Sequence, residues 1–181
     1  MYSSLERPLP KEDLEELARL KLKESLLESK LALEYLDKGI IRNAAGKAFQ
    51  AWKALIAALI ALNFERLSKD LSEDQKEWLK EKGILAPTSK LIPLSLMLEE
   101  KVDLDGITHA TSTALDLHDY QYNGPDPDLI FSKYTEPESA KESTKLLIKT
   151  LLEYIEKYKD LLDEEGLKLL NELKKALNTN A

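Results

Sequence analysis

The stretch LHDYQYNGPDP, residues 117–127, holds the side chains of this chain that are best suited to chemistry. His118 and Tyr120 lie two residues apart, and Tyr122 follows one helical turn after the histidine. An imidazole exchanges protons near neutral pH, and a tyrosine ring can stack on a nucleobase while its hydroxyl reaches a phosphate. This composition favours an acid–base or nucleotide-binding site, with His118 and Tyr120 as candidate catalytic residues.

Further polar and aromatic residues surround this pair, and four of them are candidate ligand-binding residues: Asp119, Tyr122, Asn123 and Tyr134. A structural interpretation stands beside the functional one. In it the tyrosines hold a loop against the helices, and Asp119 and Asn123 are polar groups at a helix end that Gly124 and Pro125 stop. Residue chemistry by itself favours the structural interpretation, and it leaves the functional one open.

Several other chemistries are excluded or unsupported. The chain has no cysteine, so it has no disulfide, zinc–thiolate site or cysteine nucleophile. His109 and His118 are nine residues apart, which places them on opposite faces of one helix and prevents them from sharing an ion there. The hydroxyl-rich segment GITHATSTA (106–114) shows no base beside a nucleophile, and metal-binding and phosphate-loop motifs are absent. We predict no metal and no cofactor.

The charge of the chain bears on its partners and its location. It has 33 acidic against 26 basic residues, a net charge of −7, which makes it a poor overall match for nucleic acid. The N-terminus lacks the apolar segment of a signal peptide. The longest nearly uncharged apolar run, residues 54–64, is shorter than the roughly 20 residues that cross a membrane. We predict a soluble, cytoplasmic protein without membrane association.

The backbone that carries these residues is expected to be helical throughout. Gly and Pro are sparse, at 6 and 7 residues, and apolar residues recur with helical rather than strand periodicity. We predict an all-α antiparallel helical bundle forming a single domain over residues 1–181. The expected helices cover residues 10–38, 40–68, 73–82, a stretch ending near Lys101, 105–122, 137–160 and 164–177, with a loop between 124 and 136.

The two longest helices carry distinct apolar patterns. The first has two nearly opposite apolar arcs, which predict a neighbour on each side, and a second subunit is one candidate. One arc is Leu17, Leu20, Leu27, Leu31 and Tyr35; the other is Leu22, Leu26, Leu33 and Leu36. The second helix has one seam spaced by fours and threes and is apolar all round from residue 54 to 62, so we expect it at the centre of the bundle.

Two segments resemble one known superfamily. YLDKGIIRNAAGKAFQAWKALIAALIAL (35–62) is similar to the first helix pair of HEPN domains. LHDYQYNGPDPDLIFSKY (117–134) resembles a later segment of the archaeal PaREP-type (repeat-element) branch of that superfamily. The resemblance implies a helical bundle that is usually a homodimer. Relatives include ribonucleases, toxins of toxin–antitoxin pairs whose partner is a nucleotidyltransferase, and non-catalytic binding modules.

The catalytic pattern of the active relatives is only partly present. That pattern is Arg, four residues, His, one residue, Tyr; His118 and Tyr120 match it, but Thr113 occupies the arginine position. A threonine cannot provide the guanidinium that holds a phosphate. The resemblance therefore implies a dimeric, non-catalytic module that binds a partner protein or a nucleotide-like ligand. RNA is a less favoured ligand.

Three alternatives remain. One is a metal-independent endoribonuclease or toxin that uses His118 and Tyr120 at a dimer groove. Another is a toxin-type chain whose Tyr120 is modified by a nucleotidyltransferase partner. The third is a purely architectural bundle, in which the tyrosines near residue 120 are only buried.

Overall fold

The computed structural model describes residue 6 and residues 8–179. Every regular element in that part of the chain is helical, which confirms the all-α class. The α-helices are α1 (Leu14–Asp37), α2 (Ile41–Leu62), α3 (Phe64–Ser68), α4 (Glu73–Glu81), α5 (Leu91–Val102), α6 (Ile107–Asn123), α7 (Pro137–Glu156) and α8 (Glu164–Thr179). Short 3₁₀ turns lie at Gly83–Leu85, Thr88–Lys90 and Lys159–Leu161.

Local side-chain chemistry sets several helix ends. The Asp13 carboxylate caps α1 by accepting a hydrogen bond from the Glu16 backbone N–H, so the helix begins later than residue 10. Ser72 and Gln75 form the reciprocal capping box at the start of α4. The expected helix 40–68 is interrupted at Asn63, whose side-chain amide donates to the Leu59 carbonyl at 2.8 Å. That prediction of one continuous helix was wrong.

Helix α2 is the centre of the bundle, as predicted. It packs against α1, α5, α6 and α7, and fifteen of its residues are buried. By length and composition α2 is apolar enough to cross a membrane, with a mean hydropathy of 1.3. However, 78% of that apolar window is buried inside the protein, so the apolar surface of α2 is used by its neighbouring helices.

Helix α1 has neighbours on more than one side within the same chain. It packs along α2 and also contacts α7 and α8. Members of both apolar arcs are buried, including Leu17 and Leu27 from one and Leu22 and Leu26 from the other. A second subunit is therefore not needed to cover α1.

The N-terminus of α6 is fixed by a residue of the preceding helix. Gly106, at φ +79°, precedes α6 and offers no capping side chain. The Glu99 carboxylate of α5 instead accepts hydrogen bonds from the backbone N–H groups of Gly106 and Thr108, each at 3.1 Å. A negative charge at this position also complements the helix dipole. Glu99 thus helps to orient the helix that carries His118.

This cap predicts a specific sensitivity to acid. Hydrogen bonds from Thr108 and Gly106 hold the pKa of Glu99 below its ordinary value of 4.5. When the pKa of a carboxyl group is lower in the folded state than in the unfolded state, the ionised group stabilises the fold at any pH above the unfolded-state pKa. That stabilisation is lost as the pH falls through the folded-state pKa. We expect thermal stability to decline below about pH 4.5, and Glu99→Gln to flatten that decline.

The measurement is the melting temperature, followed by circular dichroism from pH 7 to pH 3. Glu100→Gln is the matched control, because Glu100 is the exposed neighbour and does not cap α6. Identical pH dependences of wild type and Glu99→Gln would contradict the role of Glu99.

Candidate functional site

Helices α2 and α6 pack side by side in opposite directions, and their contact builds the candidate site. The pairs run from Trp52 with Thr111 at one end to Arg42 with Tyr122 at the other. At Gly46 the end of the Gln121 side chain packs against the α2 backbone, 2.5 Å from where a Cβ atom would lie. This pairing brings residues of α2 to the C-terminal end of α6.

His118 lies between two aromatic rings. Its imidazole stacks on Phe49 with ring centroids 4.0 Å apart and makes a T-shaped contact with Tyr122, with ring centroids 5.1 Å apart. The Nδ1 atom is buried and has no hydrogen-bond partner among the described residues. The imidazole is therefore held between a ring of α2 and a ring at the end of α6. His109 is exposed elsewhere on α6 and takes no part in this arrangement.

Arg42 supplies a guanidinium at the C-terminal end of α6, the helix that carries this histidine. Its Nε donates to the Gln121 carbonyl at 3.0 Å, and its Nη2 donates to the Tyr122 carbonyl. A cation at the C-terminus of α6 complements the helix dipole and satisfies carbonyls that have no partner within the helix. The exposed side chain also lies against Gly124, which ends α6 at φ +71°.

Sequence reasoning missed Arg42 as part of the site. The arginine position of the resembled motif falls on Thr113, whose hydroxyl donates to the His109 carbonyl in its own helix. Arg42 comes from a different helix, far away along the chain. The available signal was weak: Arg42 is the only arginine in the segment 35–62 that carries the resemblance.

Tyr120 and Tyr134 lie inside the protein. Tyr120 is 1% exposed and packs edge-on against Tyr134, with ring centroids 5.6 Å apart. Burial raises the pKa of Tyr120, and the positive charge of Arg42 opposes that rise. In this position the Tyr120 hydroxyl does not reach a ligand at the surface. The two rings hold the 124–136 loop against the bundle, as the structural interpretation describes.

The remaining candidate residues lie at the surface. Tyr122 is 65% exposed beside His118, and Asp119 is exposed one turn before the helix end. Asn123 is exposed, but its amide donates to the carbonyls of Asp119 and Phe131 at 2.9 and 3.1 Å. The structure thus places the His118 and Tyr122 rings in contact and Arg42 at the Tyr122 carbonyl, whereas Asn123 and Tyr134 shape the adjoining loop.

Asp126 organises the 124–136 loop. Its carboxylate accepts from the backbone N–H groups of Phe131 at 2.5 Å and Ser132 at 3.0 Å, and its own N–H donates to the Tyr134 carbonyl at 2.8 Å. The hydrogen bonds from Phe131 and Ser132 hold the pKa of Asp126 below its ordinary value. One side chain therefore fixes both ends of the turn next to the site.

Replacing this side chain is expected to open the loop. In Asp126→Ala the N–H groups of Phe131 and Ser132 lose their acceptor, so their hydrogen exchange should accelerate at least tenfold while α2 and α6 stay protected. Amide hydrogen exchange read by NMR measures this directly. Asp128→Ala removes an exposed carboxylate from the same loop and is the control; equal protection in both variants would contradict the role of Asp126.

The Thr111 hydroxyl, in the hydroxyl-rich segment 106–114, is structural. Thr111 is buried, donates to the Ile107 carbonyl at 2.8 Å and accepts from the Trp52 indole N–H at 2.9 Å. Its hydroxyl also lies 2.6 Å from that of buried Ser95. This network joins α2, α5 and α6. Across residues 6 and 8–179, His, Asp and Glu form no group of three or more that is arranged to hold a metal ion.

The fold and the site together define an all-α protein in which Arg42 of α2 binds the carbonyl end of α6, where the rings of His118 and Tyr122 are in contact. The chain belongs to the archaeal PaREP1/PaREP8 family, whose model matches residues 20–147. That match confirms the archaeal family suggested by residues 117–134, and it covers both helices of the site and the adjoining loop. Comparison with curated proteins and with solved structures found no significant match.

Proposed function

We propose that the chain is a HEPN-like, homodimeric and cytoplasmic binding module that takes a nucleotide-like ligand without catalysis. The observation that carries this proposal is the placement of Arg42, His118 and Tyr122 at one exposed helix end. A guanidinium pairs with phosphate through a planar fork of donors, and an exposed tyrosine ring stacks on a base. The cluster thus offers separate partners for the two parts of a nucleotide.

The surrounding charge favours a small ligand over a long nucleic acid. The chain carries a net charge of −7, and Asp119 is exposed beside Tyr122. A long polyanion would be repelled by this field, whereas one phosphate would need only the local cation. The same cluster would also serve a partner protein that presents a nucleotide.

Titration with adenosine monophosphate at low salt tests the proposal, with adenosine and inorganic phosphate as partial ligands. We expect saturable binding of the nucleotide and weaker binding of either part. Tyr122→Ala should weaken nucleotide binding about tenfold or more, since stacking on an aromatic residue contributes about 1–3 kcal/mol per base. Tyr158→Ala, a change distant in sequence, is the control. Absence of nucleotide binding at millimolar concentration would contradict the proposal.

A specific observation favours a second candidate, a metal-independent endoribonuclease of the toxin type. Arg42 places a guanidinium one turn beyond His118 in the same chain, although Thr113 stands at the motif position. In that reaction His118 would accept the ribose 2′-hydroxyl proton as the 2′-oxygen attacks the phosphorus, and Arg42 would stabilise charge on the phosphate. The P–O5′ bond would break, and the 5′-oxygen would leave as an alcohol after taking a proton. Cleavage of single-stranded RNA in EDTA that disappears in His118→Ala would support it. No cleavage of several RNAs by the wild type, also at elevated temperature, would end it.

The resemblance to HEPN toxins also suggests a nucleotidyltransferase partner. Such a partner would modify a tyrosine, and the motif position is Tyr120. In the folded chain Tyr120 is buried, whereas Tyr122 is the exposed phenol beside His118. A neighbouring nucleotidyltransferase gene would support this partner, and mass spectrometry after co-expression would show which tyrosine carries a nucleotide.

A further inference from the structure

Three consecutive large apolar side chains point into solvent at the tip of the 124–136 loop. Leu129 is 55% exposed, Ile130 70% and Phe131 68%. We call residues 129–131 the apolar knob. Contiguous exposed apolar surface is uncommon on a protein without a partner, and it commonly marks an interaction site.

The knob is held in a defined shape. The Asp126 carboxylate and the Asn123 amide bind the backbone of Phe131 on both sides, through its N–H and its carbonyl. Leu129 has φ +55°, a left-handed conformation that L side chains rarely adopt. A loop that keeps an unfavourable backbone and turns its apolar side chains outward is preorganised for contact, which lowers the entropy cost of binding.

An apolar groove lies between α4 and α5 on the same chain. It encloses about 430 Å³, within the range of specific binding cavities. Its apolar lining consists of Leu71, Trp78, Leu79, Pro93, Leu94 and Met97. None of the knob residues contributes to it, so the chain presents an apolar projection and an apolar recess on separate elements.

Charges beside the knob and the groove are complementary. Asp128 and Lys133 flank the knob, whereas Lys90 and Asp74 lie at the groove. All four side chains are exposed. None has an opposite charge within 4 Å in the part of the chain that the structure describes. One acid and one base on each surface allow two ion pairs across a contact.

We propose that the apolar knob of one copy inserts into the α4–α5 groove of a second copy, with Asp128 facing Lys90 and Lys133 facing Asp74. A two-fold axis makes the contact reciprocal, so each dimer contains two such insertions. Each insertion places one aromatic side chain, Phe131, in the groove, and a buried aromatic side chain covers roughly 150–250 Å². The two insertions also bury Leu129 and Ile130 of each copy. The inference rests on the homodimer of the proposed function and not on its ligand.

Sedimentation of the full chain across micromolar concentrations tests the contact. We expect the wild type to be a dimer and Phe131→Ala to raise its dissociation constant at least tenfold, because buried aromatic anchors dominate such interfaces. Met97→Lys should act similarly by placing a charge in the groove. Leu146→Ala, which removes a 63% exposed leucine of α7, is the control and should leave the dimer unchanged. Circular dichroism confirms that each variant is folded.

Mixing the two variants tests whether the apolar knob of one copy binds the groove of the other copy. The Phe131→Ala chain keeps an intact groove and the Met97→Lys chain keeps an intact knob, so their mixture regains one insertion and should dimerise more tightly than either alone. Asp74→Lys and Lys133→Glu should each weaken the dimer, and the double variant should restore it.

Three results would overturn the contact. The wild type could be monomeric, Phe131→Ala could leave the dimer dissociation constant unchanged, or the mixture could dimerise no more tightly than either variant alone. Nucleotide binding is measured separately on the same variants, so a failed interface is distinguishable from a failed ligand site.

Discussion

Replacing Trp52 with alanine is expected to lower the free energy of unfolding by about 3–5 kcal/mol, the range for large aromatic residues in a core. Trp52 is 0% exposed on the central helix and packs edge-on against Tyr154, with ring centroids 6.1 Å apart. Its indole N–H is a hydrogen-bond partner of the buried Thr111 hydroxyl. The alanine variant therefore leaves a cavity and also removes a donor from the network that joins α2 to α6.

Two further variants separate these effects in urea denaturation. Trp52→Phe keeps a six-membered ring but loses the five-membered part of the indole with its N–H, so we expect a smaller loss of about 1–2 kcal/mol from the hydrogen bond plus a packing term. Trp78→Ala removes the other tryptophan, which is only half-buried at the α4–α5 groove. If Trp52→Ala costs no more than Trp78→Ala, then the central position of α2 in the core is contradicted.

Replacing Arg42 with alanine is expected to weaken nucleotide binding at least tenfold, because its planar guanidinium lies at the Tyr122 carbonyl and the Tyr122 ring contacts His118. The change also removes the donors to the Gln121 and Tyr122 carbonyls. We expect a loss of about 1 kcal/mol of stability from the missing charge at the helix end. Binding and stability should both fall, and binding should fall more.

Arg42→Lys keeps the charge without the planar fork, so its affinity should lie between those of wild type and Arg42→Ala. Arg66→Ala is the control, because Arg66 is exposed and paired with Asp103 at 2.8 Å, away from the α2–α6 contact. Calorimetric titration with adenosine monophosphate measures all three variants. Equal affinities of Arg42→Ala and Arg66→Ala would show that the guanidinium does not bind the ligand.

Most of the fold was predictable from local patterns. Apolar periodicity indicated the helices, and the Ser72 capping box located the start of α4. The break at Asn63 was missed, because a continuous apolar run precedes it and the amide's bond to the Leu59 carbonyl is specific to the folded geometry. The two arcs of α1 indicated two sides to cover, but periodicity does not say whether the cover comes from α7 and α8 or from another chain.

The site was predictable only within α6. Spacing of four residues indicated that His118 and Tyr122 share a face, and the rings do meet. The burial of Tyr120 was also readable, since Thr111, Ala114 and Leu117 precede it at intervals of three on the core face. Phe49 and Arg42 were not predictable, because the register between α2 and α6 is a tertiary property that depends on packing at Gly46 and Trp52.

Chemical-shift mapping of the isotopically labelled chain with adenosine monophosphate tests the central claim most directly. The account predicts saturable shifts centred on Arg42, His118 and Tyr122, and their loss in Arg42→Ala. Shifts confined to the α4–α5 groove, or no shifts at millimolar nucleotide, would contradict it.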